Sequence, residues 1–462
     1  MFFQSDTSDA FDAHPHKAAV GFACALLIGL QVLFAELSHA AVAPVLFDPA
    51  NYASFANSDS AETIRPGTQI TLQNWQRYKN YLPFGIQVLY SSQYRWHVDS
   101  SPEFTITVGP TVDYTWPRQY LEDTEKYGNQ TRLIRLDSGG NTIENYIAGL
   151  PFPIPAEPHL ADKVIYNARY GPNPTVLWWP WTAFMVDRFL NIRITSEGHA
   201  QFYRLSHLST PSLPINPDYG KGYLKSQRSD ITAPEDIKYA VDLILQPDDP
   251  TKLSERYIYV PQLRRSYRYS TAARCTYQNN SSDTTTREFS FDTANVKNTL
   301  LGEGKILALE HATADPAVLY SLGGIHVKSS VPGWTKPALG QWEVRNVYVI
   351  ESVFLRDNPA RKCLSHTVLY IDKDNWLPIG FEDYDADGNL WKDYIFTYME
   401  VENRAQGGNF MILHHQTVLN LKETHASVVT VASVPKLDND VPAEHRNAAN
   451  SALPSSIMSV NR

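Results

Sequence analysis

The chain has 462 residues, enough to bury a sizeable core in one large or two to three smaller domains. Aromatic residues make up 12%, with 26 Tyr and ten Trp, and Pro outnumbers Gly 30 to 23, which suits a β-rich, turn-rich globular protein better than a helical bundle or a disordered chain. The net charge of −9 is modest and argues against a dedicated nucleic-acid binder.

From the N-terminus, Ala18 to Ala35 form an apolar run broken only by Gln31, preceded by Lys17 and followed by Ser38-His39-Ala40. Small residues at the two positions a signal peptidase reads predict a secretory signal peptide over 1–40, cleaved after Ala40. An uncleaved anchor is the alternative, since the run is at the short limit for a spanning helix. The segment before Lys17 carries Asp6, Asp9 and Asp12, which fits a signal peptide poorly and suggests a start further downstream. Beyond Cys24, only Cys275 and Cys363 remain. An exported, oxidising compartment favours a bridge between them, and two buried free thiols are the other reading.

Residues 41–129 read as an N-terminal extension with short helices. After an irregular stretch, Leu72, Trp75, Tyr78, Lys79 and Leu82 recur at helical spacing until Pro83 stops them. Pro117 to Tyr127 predicts a second helix, ended by Gly128. From residue 130 the pattern is mostly strand. Thr131–Leu136 and Thr142–Ile147 flank the turn Asp137-Ser138-Gly139-Gly140 as a hairpin. Alternate prolines keep 149–155 extended, and Asp162–Tyr170 predicts a short helix. The aromatic block Trp178-Trp179-Pro180-Trp181 with Phe184 precedes strands near Phe189–Thr195 and Gln201–Leu208. Residues 209–232 read as a loop, Tyr239–Leu245 and Tyr257–Tyr269 as alternating strands, and Thr293–Leu301 as a short helix within an ambiguous region.

Trp342 to Val401 carries the clearest signal. Trp342–Leu355, Leu364–Asp372, Trp376–Tyr384 and Leu390–Val401 are strand-like runs joined by Asp/Asn/Pro/Gly turns, an antiparallel meander. Apolar residues on both faces of the first run predict that both faces are covered. Phe410–Leu421 and Ser427–Val434 close the sheet, and the polar tail from 438 to 462 is expected to fray.

Chemical motifs are sparse. There is no GxSxG, HExxH, CxxC, Walker A or GxGxxG pattern, so neither a catalytic residue, a metal site nor a cofactor is assigned. His414-His415 are strand neighbours that point to opposite faces, which suits a partly exposed strand end. His366, inside an apolar strand, reads as a satisfied core or interface histidine rather than a catalyst. Asp383, Asp385, Asp387 and Gly388 mimic the start of a calcium loop, but Tyr394 stands where the bidentate acid belongs, so a hairpin turn is expected. Nothing sets Glu382 or Asp383 face to face with a second acid as a glycosidase needs. Arg264, Arg265, Arg268 and Arg274 interleave with Tyr257, Tyr259, Tyr267 and Tyr269, either as a solvated face of stacked Arg and Tyr or as a contact for an anionic group. The aromatic block is core packing, a sugar platform or the wall of an apolar cavity.

Tyr257-Ile258-Tyr259-Val260-Pro261-Gln262-Leu263-Arg264-Arg265 resembles the tyrosine–proline–double arginine strand of the LolA/LolB-like lipoprotein-localisation superfamily. Gly149-Leu150-Pro151-Phe152-Pro153, Leu369 through Trp376, and Asp383 through Trp391 are similar to a Gram-negative outer-membrane lipoprotein-sorting-like family of unknown function. The likeness covers most of 130–435 and is strongest over 342–398. It implies one domain over 130–437: a curved, incomplete antiparallel β-barrel with short helices on its concave side and apolar ligand within. It also implies a periplasmic or outer-membrane-associated, non-enzymatic carrier or chaperone for a lipid, acylated protein or apolar metabolite. In many relatives the role is tied to RND-type export. Trp178, Trp179, Trp181, Phe184, Phe152, Tyr259, Arg264 and Arg265 are the expected ligand contacts. A periplasmic carbohydrate-active protein and an adaptor of an outer-membrane or efflux assembly are the alternatives.

Overall fold

The computed structural model describes residues 44–53, 55, 63–91, 105–137, 140–187, 191–209, 220–269, 283, 293, 295–313, 325–326, 334–335, 339–404, 407–447 and 452–457. The expected signal segment, Cys275 and Arg274 lie outside them.

Among the described residues, fourteen strands form one antiparallel sheet. In chain order they are β1 (Val176–Asp187), β2 (Ile192–Arg204), β3 (Tyr223–Ala233), β4 (Val241–Pro247), β5 (Glu255–Val260), β6 (Arg265–Tyr269) and β7 (Val296–Glu310). Then follow β8 (Gln341–Phe354), β9 (Leu364–Asp372), β10 (Pro378–Asp385), β11 (Leu390–Glu402), β12 (Asn409–Asn420), β13 (His425–Val431) and β14 (Lys436–Leu437). Their order across the sheet is β6-β5-β4-β3-β2-β1-β13-β12-β11-β10-β9-β8-β7, with β14 beside β1. Two meanders, β1 to β6 and β8 to β13, are joined where β13 pairs with β1. Among the described residues the sheet does not close, and β6 and β7 are its edges.

The meander expected over 342–401 is present as β8 to β11, with side chains alternating between two covered faces. Val368 and Tyr370 of β9, Ile395 of β11 and Leu419 of β12 belong to one core cluster. Leu369 and Ile371, Tyr394 and Phe396, and Val418 belong to another. The described residues of the 44–109 segment cover the first face, supplying Tyr52, Phe55, Ile70, Leu82, Ile86 and Leu89. The second face is covered by α2 (Arg118–Tyr127) and α3 (Leu160–Arg169), numbered after α1 (Phe84–Tyr90). In α3, Ala161, Val164, Ile165 and Ala168 recur at the spacing of a single helical stripe, and all four are in that core.

Several expectations are corrected. Thr293–Leu301 is not helical: β7 begins at Val296 and pairs along its length with β8, and that ladder overrides a weak local preference. The stretch 209–232, expected as a loop, contains β3, whose polar side chains tolerate burial because they are paired. Arg228 holds Asp230 through two hydrogen bonds of 2.8 and 2.7 Å, and Ser226 donates to the Ala452 carbonyl at 2.7 Å. Pro83 ends one helical segment and opens another, since α1 starts directly behind it. The tail does not fray where it is described. Val441, Ala452 and Ile457 are buried against β1 to β5. The aromatic block is itself strand, β1.

Candidate functional site

The covered face of β9 to β11 contains the densest buried chemistry of the first core. Glu382 on β10 stands directly across from Asp393 on β11. Glu382 is fully buried and has three donors. Gly85 N–H at 2.7 Å and the Tyr370 hydroxyl at 2.9 Å share Oε1, and the Tyr52 hydroxyl reaches Oε2 at 2.7 Å. Tyr52 also makes a short hydroxyl–hydroxyl bond with Tyr384, and Phe84 N–H donates to Tyr370 at 3.0 Å. The cover therefore meets the sheet at a carboxyl group held by tyrosines of both layers.

Asp393 is less well served: its Oδ2 is buried and has no hydrogen-bond partner. Gly85 packs so closely on it that a methyl group there would overlap the carboxyl. Burial pushes Glu382 up to about 7. Burial first, then the charge of Glu382, pushes Asp393 well above the carboxylate range. Cross-strand neighbours that are both raised by burial, the two carboxyls favour holding a proton between them. Beside them Pro83, Ile86, Leu307, Trp342, Tyr370 and Asp393 line a small space with room for about one water. That space suits a proton and a water. It does not admit a sugar, and the acid pair lies under the cover rather than across an open cleft. The expectation that no second acid faces Glu382 is nonetheless corrected: the partner is Asp393, eleven residues on.

A second buried ionic group sits at the start of β8. Arg345 donates through Nε to Asp372 at 2.6 Å, through Nη2 to Asp374 at 3.1 Å and through Nη1 to the Val112 carbonyl at 3.0 Å. Its guanidinium also lies 4.3 Å from the Tyr114 ring centroid. Glu343 accepts from Val112 N–H at 2.7 Å, and burial raises it to about 7. Burial likewise raises Glu310 well above its usual range. Among the described residues, no group of three or more His, Cys, Asp or Glu is arranged to hold a metal ion.

The calcium-like stretch is a turn. Asp385 Oδ1 accepts from the backbones of Asp387 and Asn389 at 3.0 and 2.9 Å, and Gly388 takes φ +83°. Asp383 instead points inward and receives the Thr367 hydroxyl. His414 and His415 are each 1% exposed, so they are core residues and not a strand end. The His366 ring packs on Phe47 and Tyr384.

The expected ligand contacts are dispersed. Only Phe184 belongs to the core beneath the N-terminal cover. Trp178 packs with Val176, Tyr203 and the tail residue Val441, whereas Trp181 lies with Ala200 and Ile231, and Trp179 flanks that group. Phe152 is buried with Tyr166 and Tyr170, and Tyr259 with Val241, Leu243 and Ile457. Arg264 takes φ 49° in the turn before β6, Arg265 opens that strand, and both are exposed. Neither makes an ion pair with a described residue, while Arg268 reaches Glu255 at 2.8 Å. Arg–Tyr stacking is present, with Arg268 over Tyr257 at 5.9 Å and Arg256 over Tyr269 at 5.3 Å. Cys363 is disulfide-bonded.

Sequence reading missed the Glu382–Asp393–tyrosine group. Its one local signal is parity: Glu382 shares a strand face with Tyr384, and Tyr370 shares one with Val368. The register that brings Asp393 opposite, and the long-range return of Tyr52 and Gly85, leave no local trace.

Among solved structures, a DUF1329 family protein from Desulfovibrio piger is similar at 9% identity and TM-score 0.42, covering 63% of this chain and 97% of that one. A domain named for outer membrane lipoprotein sorting, from Vibrio parahaemolyticus, is similar at 12% identity and TM-score 0.40, covering 60% and 92%. A LolA superfamily protein from Nitrosomonas europaea is similar at 14% identity and TM-score 0.34, covering 62% and 96%. No curated protein matches the chain. A family model described as "Protein of unknown function (DUF1329)" matches residues 69–453, most of the length, and the chain belongs to that family.

Proposed function

We propose that the protein is a non-enzymatic, periplasmic carrier or chaperone for a hydrophobic molecule such as a lipid, an acylated protein or an apolar metabolite. The seat is the apolar sheet face beneath residues 44–109. The observation that carries this reading is how the cover is held. Tyr52, Phe55, Leu82, Ile86 and Leu89 are each at most 1% exposed against the sheet. Yet among the described residues the segment joins the main sheet's backbone only at two isolated bridges, Leu46 to Asn389 and Val108 to Trp342. A layer attached by side chains can separate without breaking the ladder beneath it. An acyl chain gains about 0.8 kcal/mol per buried methylene, so a guest of ordinary length offsets the burial that the displaced side chains lose. Because the space beside Asp393 admits only one water, a guest there requires the cover to lift.

Extraction with organic solvent of protein purified from its native host, followed by mass spectrometry, tests this. A near-stoichiometric apolar molecule is expected, and an empty protein that ignores added lipid would sink the carrier. The exposed Arg264 and Arg265 at the sheet edge favour a second reading, an adaptor docking onto an outer-membrane or RND-type export assembly. Pull-down with and without Arg264→Glu/Arg265→Glu separates the two.

A further inference from the structure

We propose that Glu382 and Asp393 form a proton-controlled latch: while they hold a proton between them the N-terminal cover is seated, and losing it releases the cover. From the cover, Gly85 and Tyr52 bond opposite oxygens of Glu382, and Phe84 N–H donates to Tyr370, which itself holds Glu382. Asp393 gives nothing back when charged, because its Oδ2 has no partner and Gly85 closes that side. A second negative charge therefore has one relief, which is to let water in where Gly85 sits. The space beside Asp393, with room for one water, marks where water would enter first.

The titratable groups facing the pair are Tyr370 on β9, Tyr384 on β10 and Tyr52 on the cover. His366 touches Tyr384 from its far side at 5.6 Å and is itself 3.6 Å from Glu351. None of these supplies a cation within hydrogen-bond reach of either carboxyl. Both carboxyls are raised by burial, so the seated form holds protons that the open form releases. The sign follows: seating is strongest in acid and weakens as pH rises above the ordinary carboxylate range toward the seated-state values. A raised group changes the seated-to-open ratio by about tenfold per pH unit within that window. What opening accomplishes, exposing the apolar face to a guest, rests on the carrier reading; the latch itself does not.

Amide hydrogen exchange of the full chain, without added lipid and corrected for intrinsic rates, is the test. In the wild type, protection of Phe84–Tyr90 should fall by about a hundredfold or more between about pH 5 and pH 7 while β11 and β12 stay protected. Asp393→Asn should make that fall shallower, since Glu382 alone is left to titrate. Glu382→Gln, which keeps one acceptor for the cover, should make it shallower too, since Asp393 alone is left, and stands in if the first variant does not fold. Protection that is independent of pH in the wild type, or an unchanged slope in a folded variant, overturns the latch. Neither result bears on lipid extraction, so the carrier and the latch can fail separately.

Discussion

At the scale of single residues, Arg345 is a costly side chain to alter. It is 1% exposed, and its charge is met by Asp372, Asp374 and the face of Tyr114. Removing one partner of a buried ionic group leaves the other desolvated and unpaired, at a cost of roughly 3–5 kcal/mol. Arg345→Ala should therefore destabilise the protein by about that much in denaturant titration. The loss should shrink in mild acid, because burial already raises Asp372 and a protonated Asp372 no longer needs the guanidinium. A loss that is the same at about pH 5 and pH 8 would mean that Arg345 acts by packing alone. Nothing in the local sequence marks this residue: the pattern of Trp342–Leu355 predicts that both faces are covered but not which segment lies over Arg345. What buries it is the return of Val112 and Tyr114 from the N-terminal extension, a contact some 230 positions away.

At the scale of elements, the meander was legible and the cover was not. β8 to β11 alternate strictly enough that period and turn residues locate them, and β9 agrees with its expected bounds at both ends. The run from Val296 gives no clear strand signal because its outer half is polar and mixed; its strand character comes from pairing with β8. The cover fixes features that look arbitrary in sequence. Gly304 in β7 is one: a side chain there would collide with the backbone carbonyl of Phe55. Gly304→Val should accordingly unseat the segment around Phe55 while leaving the β7–β8 ladder formed, since valine favours a strand. Limited proteolysis would show faster cleavage within 44–91 and an intact sheet core. Cleavage at the wild-type rate would place the segment's hold on the sheet elsewhere.

At the scale of the whole molecule, the buried acids set how stability varies with pH. Glu343 and Glu382 rise to about 7, and burial lifts Glu310, Asp372 and Asp393 as well. In the unfolded chain such groups release their protons near 4.5 or below, so from there upward the folded state holds more protons and stability falls as pH rises. Buried neutral histidines act the other way. His414 and His415 are lowered by burial to about 4 and about 3, so their contribution is present above 6.5 and lost as pH falls. Between about 4.5 and 6.5 the two sets oppose each other; above about 6.5 the histidines are silent and the acids continue to act. His425 adds to the same trend. Burial works against its charge, the Asp283 carboxylate 2.8 Å away outweighs that, and stability is lost as pH rises through its raised value. The melting temperature should therefore peak on the acid side of neutrality and decline from about pH 6.5 to pH 8.5, each raised group contributing up to about 1.4 kcal/mol per pH unit while it titrates. Calorimetry across that range decides it. A melting temperature that climbs through neutrality would show that these acids are already ionised in the fold, and would remove the proton from the latch as well.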